Sequence, residues 1–133
     1  MNDIVATYCG LKKNAATGFL PALERYIGSH IRKAQVISLE HKRPLFFLSG
    51  MYGLIEATQP ISWYEYKLEK PDPDFTRLIA MKLISLGAQN IWWLTKGDEH
   101  TRPYDDTIRQ AVLWLQQDNK AVTLQEYDFA VHA

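Results

Sequence analysis

Three segments of this chain set reactive or ligand-holding residue types beside glycine. The first, Cys9-Gly10-Leu11-Lys12-Lys13-Asn14, joins a thiol, a flexible backbone and two cations. Lys12 and Lys13 can hold a phosphate, and their field favours the Cys9 thiolate. A plainer reading buries Cys9 as a small apolar residue and leaves the lysines in water. The second segment, Ser49-Gly50-Met51-Tyr52-Gly53, offers a hydroxyl, backbone amides and a ring. A nucleophile elbow needs glycine two residues on either side of its serine, which this run lacks, so Ser49 reads as a binding group more readily than as a nucleophile. The third, Lys96-Gly97-Asp98, leads into Glu99, His100 and Tyr104-Asp105-Asp106. Asp98 could serve as a general base or hold a ribose hydroxyl, while Asp105 and Asp106 suit the start of a helix.

A fourth stretch, Trp63-Tyr64-Glu65-Tyr66-Lys67, could stack a base and let Glu65 accept from its exocyclic amine. The same alternation also describes a half-buried strand or a loop anchor. His30, His41, His100 and His132 show no zinc-type spacing and only one cysteine is present, so no metal site is expected. Neither a Walker loop nor a dinucleotide fingerprint occurs, and no cofactor is expected.

The elements that must position these segments alternate between strand and helix. Ile4 to Ala6, Leu45 to Leu48 and Ile91 to Leu94 are apolar runs, each ending at one of the three glycine segments. In open α/β sheets ligands gather outside the carboxyl ends of the strands, which makes that edge the expected site. A helical stretch from Leu20 to about His41, interruptible at Gly28, carries Ile27, Ile31, Ala34 and Ile37 on one face. Asp72-Pro73-Asp74 is a helix start, Phe75, Leu78, Ile79, Leu83 and Leu86 its apolar stripe, and Gly87 its stop. Ile108, Ala111, Val112 and Leu115 mark another helix, with a weaker strand at Ala121 to Leu124. The expected architecture is one α/β domain over residues 1–133, a mostly parallel sheet of about four strands with helices on both faces. Residues 49–71 form a long connection of aromatic and turn residues.

A chain of 133 residues is long enough to bury a core without crosslinks. Fifteen basic against fifteen acidic residues give no global attraction for nucleic acid or an anionic membrane, so such binding requires a local basic patch. Met1-Asn2-Asp3 leads directly into strand-like sequence, no apolar run approaches bilayer length, and the single cysteine suits a reducing compartment. A cytoplasmic protein is the expectation.

Read in order, Cys9-Gly10-Leu11-Lys12-Lys13, Pro21-Ala22 with Tyr26-Ile27-Gly28, Leu48-Ser49-Gly50-Met51-Tyr52-Gly53-Leu54-Ile55 and Ile61 to Leu68 resemble the motifs of small domains related to the YaaA peroxide-stress proteins. The match covers about residues 4 to 68 and the remainder in outline. It departs from the pattern at Gly10, at Met51, where lysine is usual, and at Trp63-Tyr64-Glu65, where Pro-Tyr-Asp is usual. The resemblance implies an α/β fold and a nucleotide- or DNA-related role in modification, repair or stress protection, with action on a nucleobase such as N-glycosidic cleavage as its enzymatic form. Expected catalytic candidates are then Cys9, Ser49, Glu65 and Asp98. Gly10, Lys12, Lys13, Tyr26, Gly50, Tyr52, Gly53 and Tyr64 are the expected ligand-binding positions, Tyr26 through the resemblance alone. The competing expectation is a non-catalytic module that meets a protein partner through its aromatic segment.

Overall fold

The computed structural model describes residues 3–129; Met1, Asn2 and His132 fall outside that range. Strand β1 (Asp3–Tyr8) is followed by the short β2 (Leu20–Pro21), the single turn α1 (Ala22–Arg25) and helix α2 (Ser29–His41). Next come β3 (Leu45–Ser49), β4 (Gly53–Glu56), β5 (Pro60–Ile61), α3 (Pro73–Leu86), β6 (Asn90–Thr95), α4 (Arg102–Gln117) and β7 (Thr123–Asp128). The main sheet runs β4-β3-β1-β6-β7, with β3, β1, β6 and β7 parallel and β4 antiparallel at one edge.

The sheet has five strands rather than the expected four. The extra one, β4, sits inside the 49–71 connection, which also supplies β5 to pair with β2. Four residues are too short for a periodic signal, and what creates β4 is the tight turn before it, closed by Gly53 at φ +79°.

Helices cover both faces. Adjacent residues of a strand point to opposite sides, and Trp92 meets His41 of α2 while Trp93 donates from Nε1 to Asp105 of α4 at 2.7 Å. The core is built from the apolar runs: Phe46, Phe47, Leu48, Ile91 and Trp93 are fully buried.

The first long helix breaks as Gly28 allows. Tyr26 bridges Lys13, the Ile27 amide donates to the Lys12 carbonyl and the Asn14 amide to the Arg25 carbonyl, so Tyr26 and Ile27 are drawn out as a strand-like rung. Ile27 is consequently exposed, off the α2 face that buries Ile31 and Ala34. In α3 the Asp72 carboxylate accepts from the Phe75 amide at 3.2 Å and Gly87 ends the helix in the left-handed region. Leu78 is exposed because at about 100° per residue it lies about 100° from Ile79 and about 140° from Leu83, the most buried residues of the stripe. Helix α4 starts at Arg102, a turn ahead of Asp105 and Asp106, and the turn leading into it is held by Asp98, whose Oδ1 accepts from the His100 and Thr101 amides at 3.0 Å each.

Candidate functional site

Three features meet at the carboxyl edge of the sheet: a closed polar cluster, a cavity between β1 and β6, and a neighbouring aromatic cavity. The cluster arises because β1 and β3 are parallel neighbours with Tyr8 opposite Leu48, and Cys9 donates its amide to Leu48 at 3.1 Å. Ser49 Oγ accepts from the Met51 amide at 3.2 Å and the Tyr52 amide at 3.0 Å, which fills both lone pairs. Its proton therefore goes to the Tyr64 hydroxyl, 2.8 Å away, and Tyr64 in turn lies 2.6 Å from the Tyr26 hydroxyl. Ser49 and Tyr26 are fully buried, and Tyr52 is anchored to Ser62 through its own hydroxyl at 2.9 Å. In this geometry Ser49 is an orienting group with no free lone pair for attack.

Cys9 is 1% exposed, with Sγ 4.0 Å from the Tyr104 hydroxyl. Burial pushes its thiol up, outweighing Tyr64, Lys13, Tyr104 and the Gly50 amide, all of which favour the thiolate. The group is thus a protonated thiol at neutral pH. We expect iodoacetamide to leave Cys9 unmodified in the native protein over a period that fully alkylates it in denaturant, measured by intact mass. Native labelling at the rate of an open thiol would contradict this placement.

The cavity between β1 and β6 lies where the parallel strands reverse direction of addition, since β3 joins one side of β1 and β6 the other. Such a switch point is the general ligand position of open α/β sheets. The space is about 380 Å³, and its walls include Gly10 and Lys12 after β1, Lys96 and Asp98 after β6, and Gly28 to His30 at the start of α2. Helix α2 has no side-chain cap and no acid in its first turn, and Gly28 to His30 line the cavity, so the positive end of the helix borders it. Lys67 also lines it, with Nζ 3.4 Å from His100 Nδ1.

His30 forms part of the wall under unusual constraint. It is stacked on the Tyr8 ring at 4.0 Å, and Nε2 donates to the Tyr8 carbonyl at 2.9 Å. That bond leaves Nδ1 as the nitrogen without a proton in the neutral ring. A Cβ on Gly10 or on Gly28 would come within 2.8 Å of the imidazole, so both glycines are required by the ring. Burial lowers the His30 pKa, the Lys96 charge adds to the effect, and the Tyr8 bond only partly opposes them.

The aromatic cavity, about 360 Å³, is lined by Leu11, Lys13, Trp63, Tyr64, Glu65, Tyr66 and Lys67. Lys13 Nζ sits 4.5 Å from the centre of the Tyr64 ring, and burial lowers its pKa against the pull of Cys9 and Glu65. Tyr64 itself is only 6% exposed and offers no open face, whereas Trp63 at 46% and Tyr66 at 49% do. Tyr66 packs on Gly50, where a Cβ would lie 2.9 Å from the ring.

The structure therefore divides the sequence candidates. Cys9, Ser49, Tyr26, Tyr52 and Tyr64 fall into the closed cluster. Gly10, Lys12 and Asp98 border the switch-point cavity, and Lys13 and Glu65 the aromatic one. Gly53 shapes the β3–β4 turn and Gly50 seats Tyr66. The expected site positions left out three wall residues, His30 and, within segments the sequence did single out, Lys67 and Lys96. Gly28-Ser29-His30, a glycine break opening a helix without a capping side chain, was the signal that could have found the first. Among the described residues no cluster of three or more His, Cys, Asp or Glu could hold a metal, and no helix is long and apolar enough to cross a membrane. No family model, curated protein or solved structure matches this chain.

Proposed function

We propose that this domain binds a nucleotide, free or as an exposed unit of nucleic acid, with its phosphate in the switch-point cavity. The observation that carries the reading is the convergence of Lys12, Lys67, Lys96 and the uncapped start of α2 on one space of about 380 Å³ in a chain of zero net charge. Backbone amides and lysines at a helix start favour an anion, and a cavity of this size suits one nucleotide-sized ligand. The motif order that resembles YaaA-related domains supports the same reading from the sequence side. Chemistry on a bound base would fall to Glu65 or Asp98, the carboxylates bordering the two cavities. Asp98 already spends Oδ1 on the two amides of the turn before α4, which leaves Glu65 the freer of the two.

The test is a thermal-shift comparison of a nucleoside with its 5′-monophosphate. At a hundred times its dissociation constant a ligand adds about 2.7 kcal/mol of stability, so the monophosphate should raise the midpoint and the nucleoside should not. Lys12→Ala with Lys96→Ala should abolish the shift while leaving the unliganded midpoint within about a degree or two, because both lysines are exposed. A flat profile at millimolar monophosphate would defeat the proposal. The second reading, a protein-interaction module, is favoured by the exposed Leu78 and Met81 of α3 and Leu113 and Trp114 of α4.

A further inference from the structure

The switch-point cavity and the aromatic cavity are neighbours. Leu11 and Lys67 line both, so the two spaces lie on either side of one shared wall. Together they carry Lys12, Lys13, Lys67 and Lys96 against Asp98 and Glu65. One carboxylate is engaged by the His100 and Thr101 amides, and a basic track therefore runs between them although the chain as a whole is neutral. The first cavity is large enough for one nucleotide alone. The second presents what a further base needs: the half-exposed Trp63 and Tyr66, with Lys13 over the Tyr64 ring in the same lining. Tyr66 is held in place by Gly50, and Lys13 by its backbone bridge to Tyr26, so these walls are preset.

From this continuity we propose that the ligand is a single-stranded nucleic acid, with one nucleotide in the switch-point cavity and its neighbour stacked on Trp63 in the aromatic cavity, Lys67 lying between them. This rests on the nucleotide reading above and adds a second, separately removable subsite. Stacking on an aromatic face is tolerant of base identity and requires the base to be unpaired, so a duplex is excluded from the second subsite.

The probes are thymidine 5′-monophosphate, a thymidine tetranucleotide and the same tetranucleotide annealed to its complement within a longer hairpin, each titrated by calorimetry. The tetranucleotide should bind roughly tenfold or more tighter than the monophosphate and with a steeper salt dependence, because a further phosphate is neutralised. Trp63→Ala should remove most of that advantage and leave monophosphate affinity unchanged, and Trp63→Phe should restore much of it. Trp63 is exposed, so neither variant endangers the fold. Equal affinity for monophosphate and tetranucleotide, equal loss of both in Trp63→Ala, or binding of the hairpin as tight as of the single strand would each overturn the second subsite with the nucleotide site intact. Absence of binding by all three probes would overturn the nucleotide reading and this inference with it.

Discussion

Replacing Phe47 with alanine is expected to cost about 3–5 kcal/mol of folding stability, measured by urea denaturation with an unchanged slope. Phe47 is fully buried in the middle of β3, paired across the sheet with Thr7 of β1 and Ile55 of β4. Its ring meets that of Tyr26 edge to face, with centroids 5.4 Å apart. The truncation leaves a cavity beneath the polar cluster as well as removing apolar contacts, and neighbours hydrogen-bonded in a ladder cannot close it. A loss below about 1 kcal/mol would mean that β3 lies at the surface, contrary to its position in the sheet.

The second large effect is expected at Arg25, whose side chain is fully buried although no carboxylate among the described residues pairs with it. Its guanidinium instead donates to the carbonyls of Asn14, Ala16, Gly18 and Ile61 at 2.6 to 3.2 Å. Arg25→Met should cost about 3 kcal/mol, since it strands several acceptors at once, partly relieved where the 14–18 loop can admit water. Arg25→Lys should recover only part, because an ammonium cannot reproduce a planar fork reaching four carbonyls. A methionine variant as stable as the parent would show that these carbonyls are met equally well by solvent.

Much of this architecture was legible because periodicity and punctuation agreed. Asp72, Pro73 and Gly87 marked α3 at both ends, and Leu45 to Leu48 announced a strand covered on both faces. The carboxyl-edge placement of Cys9, Ser49 and Tyr52 followed from the right-handed connection between adjacent parallel strands. The antiparallel β4 escaped because a four-residue hairpin strand depends on its turn and partner more than on its own pattern. The open space was less legible. At the exit of β3 the Tyr64 hydroxyl bonds to both Ser49 and Tyr26 and closes the gap with hydrogen bonds. The exits of β1 and β6 stay apart because Gly10 and Gly28 clear room for His30, a three-body relation of which only Gly28 and His30 lie close together in the sequence.

The walls of the switch-point cavity are drawn from residues 8–12, 28–30, 67 and 96–104, on both sides of the middle of the 133-residue chain. No half of the molecule can hold a ligand that needs them all. Occupancy would therefore act as a clasp across distant segments, suppressing global opening and the exchange of the most protected core amides, while fraying at the far end of the helices would proceed as before.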